Sequence, residues 1–217
     1  DLAQKPSQCH ITAMNDVIQD VLPNLAQLHR LLGGRSLTLV GMMGSGKSTI
    51  GRRVARRLGL GFHDADREIE DAAGCSIPEI FATHGEAFFR DREHAVINRL
   101  LQETSMVLAT GGGAFMNDRT REVMLQRSVC IWLRADLDIL VERVSRKDNR
   151  RLLQNKDPRQ VLTELARTRH PIYAQAHLVV ESGQGSHEET VDGLLMALEA
   201  YLHSEQLRLE QQSKRSL

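Results

Sequence analysis

The segment Gly41-Met42-Met43-Gly44-Ser45-Gly46-Lys47-Ser48 fits the pattern G-x-x-x-x-G-K-[ST]. Its glycines let the backbone wrap around phosphate oxygens and turn N–H groups inward. A helix opening at Lys47 adds the partial positive charge of its N-terminus. In such a loop Lys47 reaches the terminal phosphates of a nucleotide and the Ser48 hydroxyl ligates Mg2+, while Gly44, Ser45, Gly46 and Thr49 complete the nucleotide-binding set. The alternative is a chance glycine turn. An apolar run before the loop and a helical pattern after it argue against that. The loop is silent on what receives the phosphoryl group.

Other residues bear on the acceptor. In Asp64-Ala65-Asp66 two carboxylates at i and i+2 leave a strand end on the same side. One suits a metal held through water and the other suits the proton of an acceptor hydroxyl. A helix N-cap at Asp66 is the competing reading. Gly111-Gly112-Gly113 follows an apolar run directly. Three glycines permit a ligand to approach the backbone, and a plain flexible loop is the alternative. Arg90 and Arg169 are each unremarkable as single surface arginines, but beside these loops a guanidinium fork matches a carboxylate. Arg143, Arg146, Lys147, Arg150 and Arg151 form a basic cluster in which Asp148 is the one acid within residues 146–151. It reads as a solvated patch or as a lid that folds down on phosphate and excludes water.

The elements that must position these residues alternate. Short apolar runs at 37–40, 106–109 and 129–133 read as strands, as do 61–64, which ends in acid, and 177–180. Helical patterns cover 47–58, about 77–102, 117–127, 137–144, 158–174 and 188–202, with Asn117 and Pro158 as start signals and Gly59 as a stop. Strands alternating with helices predict an α/β three-layer fold: a five-stranded parallel sheet flanked by helices, with ligands at the carboxyl ends of the strands. Ahead of it, apolar residues at steps of three and four from Ile11 to Leu32 predict an amphipathic N-terminal helix, divided at Pro23 with Asn24 capping the second piece. The polar residues 203–217 are expected to fray. The division is then residues 1–34 as a helical extension, 35–203 as the main domain with a lid at about 146–157, and 204–217 as a tail.

Composition excludes several classes. Lys plus Arg and Asp plus Glu both number 28, which argues against a general nucleic-acid binder. Three separated cysteines, Cys9, Cys75 and Cys130, form no C-x-x-C and argue against a disulfide scaffold or cysteine zinc site. No apolar run approaches the ~20 residues of a membrane span, and no signal-peptide pattern is visible. The expectation is a cytoplasmic monomer without nucleic-acid or membrane partners. His63 is expected at a strand end in a structural role, and Trp132 and Cys130 in the core.

Taken in order, the motifs resemble the shikimate kinase family: G-M-M-G-S-G-K-S at 41–48, D-A-D at 64–66, F-R-x-x-E at 89–93, G-G-G at 111–113, R-x-L-L at 150–153 and R-x-P-x-Y at 169–173. The resemblance spans about residues 36–203. It implies transfer of the ATP γ-phosphoryl group, with Mg2+, to shikimate, giving shikimate 3-phosphate on the route to aromatic amino acids. It implies that Lys47 and Ser48 handle phosphate and metal, with Asp64 near the metal through water. Asp66 would grip the shikimate hydroxyls and act as base. Arg90 and Arg169 would hold the shikimate carboxylate, and Gly111, Gly112 and Gly113 would contact the acceptor. Arg150 would close on the phosphates from the lid and Arg143 would stack on adenine. Two features depart from the usual patterns. Arg151 stands where the family often has proline, which leaves Arg150 and Arg151 as rival lid arginines. No acid closes the third strand, where many P-loop proteins place a metal ligand; the family shares this absence, which shifts the metal role to Asp64. The rival functions are a related kinase of another hydroxy acid such as gluconate, and a non-catalytic nucleotide-binding module.

Overall fold

Ser36–Val40 is buried at every position and forms β1, the centre of the sheet. The structure is a computed structural model and describes residues 23–103, 105–146 and 157–215. After α1 (Leu25–Leu32) and β1 come α2 (Lys47–Leu58), β2 (Gly61–Asp64), α3 (Ala65–Ala73), α4 (Ile77–Glu103), β3 (Met106–Ala109), a 3-10 turn (Ala114–Met116), α5 (Asp118–Arg127), β4 (Ser128–Arg134), α6 (Leu137–Ser145), α7 (Pro158–Tyr173), β5 (Leu178–Glu181) and α8 (His187–Arg215). The strand order is β2-β3-β1-β4-β5 and every pairing is parallel. Parallel sheets need cover on both faces, which is why the central strands read as continuous apolar runs.

The cover is two packed layers. On one face Leu37, Leu39, Ile131 and Leu133 meet apolar residues of α1, α2 and α8. On the other, Val40, Leu108, Cys130 and Trp132 join the layer that holds Ile97, Met124, Leu140, Leu162 and Tyr173. Trp132 and Cys130 are therefore core residues, as their strand position implies, and burial pushes the Cys130 thiol up to about 12, which keeps it inert. β3 and β4 flank β1, so the chain leaves β1 in opposite directions on its two sides. That switch point opens a crevice at the carboxyl end of β1, where the phosphate-loop motif lies.

Several expectations change in detail. α3 is a helix between β2 and Ile77 that the sequence patterns do not separate. Its N-cap is Asp64, which accepts from the Asp66 N–H, so Asp66 lies in the first turn and is not the cap. α4 is broken rather than continuous: Gly85 sits at φ 80°, ψ 178°, outside helical space, and divides the element in two. α8 does not stop near Leu202 but runs to Arg215. Its polar end is held by Arg35, whose fork donates to both Glu205 oxygens at 3.0 and 2.6 Å, and by Gln27, whose amide meets the His203 ring at 2.7 Å. Asn24 does cap α1, accepting from the Gln27 N–H at 3.2 Å. The earlier part of the expected N-terminal helix lies outside the described residues. So does most of the expected lid, including Arg150 and Arg151.

Candidate active site

The phosphate loop is built by its glycines. Gly41, at φ 138°, has no room for a side chain, since a Cβ there would lie 2.6 Å from the Leu133 carbonyl. Gly46 is the N-cap of α2 in the left-handed region at φ 92°, which turns the chain into the helix. Lys47 folds back and donates to the Gly41 and Met42 carbonyls, each at 2.9 Å, so its ammonium stays inside the loop. The Ser45 hydroxyl is buried there without a hydrogen-bond partner. Ser48 donates to Asp64 Oδ2 at 2.6 Å, while Asp64 Oδ1 takes the Asp66 N–H. The β1 loop and the β2 end thus meet through one hydroxyl and one carboxylate. These are two hard oxygen donors side by side, a set that fits Mg2+, which keeps several waters and needs only one or two protein oxygens. His63, the strand-end residue expected to be structural, holds Glu68 at 2.7 Å.

Gly111 and Gly113 leave room for the ends of facing side chains, while Gly112 has ordinary space for a Cβ, 3.4 Å from the Arg169 guanidinium. A Cβ on Gly111 would lie 2.6 Å from Asp66 Oδ1 and 3.2 Å from Glu93 Oε1. One on Gly113 would lie 2.6 Å from the Arg90 guanidinium. The Gly112 carbonyl accepts from Arg169 at 3.0 Å and from the Tyr173 hydroxyl at 2.5 Å. Asp66, Arg90 and Arg169 therefore converge on one stretch of backbone.

Charge on this side is finely opposed. Arg90 donates to Glu93 at 2.7 Å and to Glu86 at 3.1 Å. Burial, and then the neighbouring Asp64, push the Asp66 carboxyl above the usual carboxylate range, with Lys47 pulling it back. Burial likewise raises Glu93 to about 7 in spite of Arg90. Glu93 is 1% exposed and its second oxygen has no hydrogen-bond partner. Glu93 closes the F-R-x-x-E motif at 89–93, where no role attaches to it from sequence alone. Its spacing of three from Arg90 on a helix was the available signal. Tyr173, four residues after Arg169 on α7, was legible in the same way.

A cavity of about 1170 Å³ joins these parts. Asp66, Arg90 and Arg169 line one end, Lys47 and Ser48 the middle, and Arg143 and His187 the other end. Gly44, Gly46, Thr49, Asp64 and all three of Gly111, Gly112 and Gly113 also border it, whereas Ser45 is packed beneath the loop. Arg143 donates to the Gly44 carbonyl at 3.3 Å, to Ser182 Oγ at 3.2 Å and to the Gly183 carbonyl at 2.7 Å. Of the predicted site residues, only Arg150 falls outside the described ones. A second hollow of about 490 Å³ between α1 and α8 holds none of the motif residues.

A phosphate loop at the switch point of a parallel sheet, facing a carboxylate and two arginines across one cavity, defines a P-loop phosphotransferase. The family profile described as Shikimate kinase matches residues 43–199. A shikimate kinase of Caulobacter vibrioides is 55% identical over 167 residues, 77% of this chain and 84% of that protein. One of Bradyrhizobium diazoefficiens is 51% identical over 181 residues, 83% of this chain and 87% of that protein. Among solved structures, the shikimate kinase from Acinetobacter baumannii in complex with shikimate superposes with a TM-score of 0.73 at 39% identity, covering 77% of this chain and 94% of that one. The chain belongs to the shikimate kinase family, whose members are ATP-dependent kinases.

Proposed function

We propose that this protein transfers the γ-phosphoryl group of ATP to the 3-hydroxyl of shikimate, releasing ADP and shikimate 3-phosphate within aromatic amino acid biosynthesis. The observation that carries the reading is the convergence of Arg90, Arg169 and Asp66 on Gly111–Gly113 in the same cavity as the phosphate loop. Two guanidinium groups match the carboxylate of shikimate and fix its ring. Asp66 then faces the hydroxyls.

The acceptor oxygen attacks the γ-phosphorus while the bond from that phosphorus to the β–γ bridging oxygen breaks, and ADP carries away that oxygen's electrons. The hydroxyl proton passes to Asp66, whose raised pKa makes it a better base than an ordinary aspartate. Lys47 and the α2 N-terminus hold the phosphates in line, and positioning of this kind supplies most of the catalysis. Mg2+, if bound here, would supply positive charge to offset the charge developing on the phosphoryl oxygens. Ser48 would ligate it directly and Asp64 through water. We assign Arg150 to the phosphates in the closed state.

The protein is read as a cytoplasmic monomer without nucleic-acid or membrane partners. Its net charge is zero and no helix among the described residues is long and apolar enough to cross a membrane. We assign the kinase unit to residues 35–203, with 1–34 as an N-terminal extension and 204–215 as the outer end of α8. Phosphorus NMR of a reaction with Mg-ATP and either shikimate or gluconate tests the assignment. A phosphate monoester on the 3-oxygen of shikimate is expected. A product from gluconate alone would overturn the acceptor.

A further inference from the structure

The hollow of about 490 Å³ between α1 and the outer end of α8 shares no lining residue with the catalytic cavity. Its walls are apolar and charged together. Leu31 comes from α1, Leu202 and Leu209 come from α8, and Arg30, Arg35 and Glu205 stand among them. A single exposed leucine is ordinary. Leu209, however, is 61% exposed and borders a concave surface with a cation beside it. The two arginines differ. Arg35 is engaged: its fork grips Glu205, and its Nε donates to the Leu32 carbonyl at 3.2 Å. The exposed Arg30 side chain makes no hydrogen bond or ion pair among the described residues.

A fitting occupant therefore carries an apolar stripe edged by acid. Residues 11–22 have that pattern. At helical spacing Ile11, Met14, Val17, Ile18, Val21 and Leu22 share one face. Asp16 and Asp20, four apart, border that face on one side, and the uncharged Asn15 and Gln19 border it on the other. The segment is also attached in the right place. Leu22 is followed by Pro23, which is buried, and by Asn24, the cap of α1. A connection of two residues joins helices antiparallel, and a proline there turns the chain. Residues 11–22 at helical rise extend about 18 Å, against about 12 Å for the eight residues of α1. A segment returning beside α1 is long enough to cross the hollow.

We propose that residues 11–22 fold back along α1 and seat their apolar face in this hollow, over Leu31, Leu202 and Leu209, with Asp16 and Asp20 against Arg30. The surface made by α1 and the outer end of α8 is then the docking site for the chain's own N-terminal segment. It also gives the polar end of α8 a second cover besides Arg35 and Gln27. The inference does not depend on which acceptor the protein phosphorylates.

The test is hydrogen exchange, read by mass spectrometry on the full chain, for residues 11–22 and for the hollow. Leu209→Asp removes the apolar wall, and Arg30→Glu reverses the cation. Both positions are exposed, and a thermal melt verifies that the fold is kept. The amides of 11–22 should be protected in the unaltered protein. Their exchange should quicken about tenfold in Leu209→Asp. A roughly two- to fivefold quickening is expected in Arg30→Glu, reversed when Asp16→Lys and Asp20→Lys are added. Exchange of 11–22 at the rate of an unstructured peptide, or protection indifferent to both variants, overturns the proposal. So does an Arg30→Glu effect that the added lysines fail to reverse. Sedimentation at two concentrations separates docking within one chain from exchange between copies. Protection that persists in a monomer supports the proposal, and protection lost on dilution together with a dimer overturns it.

Discussion

Asp66 and Glu93 occupy the same corner, and each carboxyl is pushed up chiefly by its burial. Their roles separate by contact. Asp66 faces the cavity, whereas Glu93 is sealed behind Arg90 and positions it. Asp66→Asn removes the proposed base but keeps the shape, so turnover should fall by about 10²–10⁴ while ATP affinity holds. Steady-state kinetics beside ATP binding checks this, and undiminished turnover would remove the assigned role. Glu93 gives a pH signature. Its folded value of about 7 lies above the ordinary 4.5, so in that interval the folded protein holds a proton that the unfolded chain has lost. The stability it contributes is full below about 4.5 and is lost as pH rises through 7. Glu93→Gln cannot ionise. Relative to the unaltered protein its stability should therefore improve as pH rises across that window, which paired denaturation curves at several pH values would show. A difference that stays flat with pH would contradict the assignment.

At the scale of elements, loops and helix breaks set the site. Gly113→Ala places a methyl group against the end of a flexible side chain, Arg90, rather than against backbone. The fold should tolerate it while Arg90 is displaced, so the KM for shikimate should rise several-fold with a melting temperature little altered. A large stability loss with normal KM would show that the glycine serves packing alone. The sheet strands and the helices from α2 onward were mostly legible from apolar runs, caps and glycine stops, as at Asn117, Pro158 and Gly59. Three features were not. The Gly85 break hides inside a pattern whose apolar residues continue on both sides of it. α3 is short, and its cap, Asp64, looks from sequence like a strand end with a chemical role. The end of α8 is polar, and what holds it, Arg35 and Gln27, lies about 170 residues away in sequence. The convergence of Arg90, Arg169 and the triple glycine came from family likeness. No local pattern places arginines of α4 and α7 on one carbonyl loop.

Among the described residues there is one sheet, and its two covering layers meet at β1. Leu39, fully buried in the layer under α2 and α8, belongs to that shared strand. Leu39→Ala should cost about 2–5 kcal/mol and should lower the stability of both layers together. Trp132, the single tryptophan, pairs with Val40 across from β1 and packs in the opposite layer. Its fluorescence and the far-ultraviolet circular dichroism should therefore shift to the same lower midpoint, whereas separated transitions would mean that the layers unfold independently. Ser48, Asp64 and Asp66 connect the phosphate loop to the acceptor side through two hydrogen bonds. The most direct test of the central claim is coupled ADP release from Mg-ATP with and without shikimate. Release that depends strongly on shikimate and saturates with it is the predicted result. Slow release indifferent to shikimate would contradict the acceptor assignment.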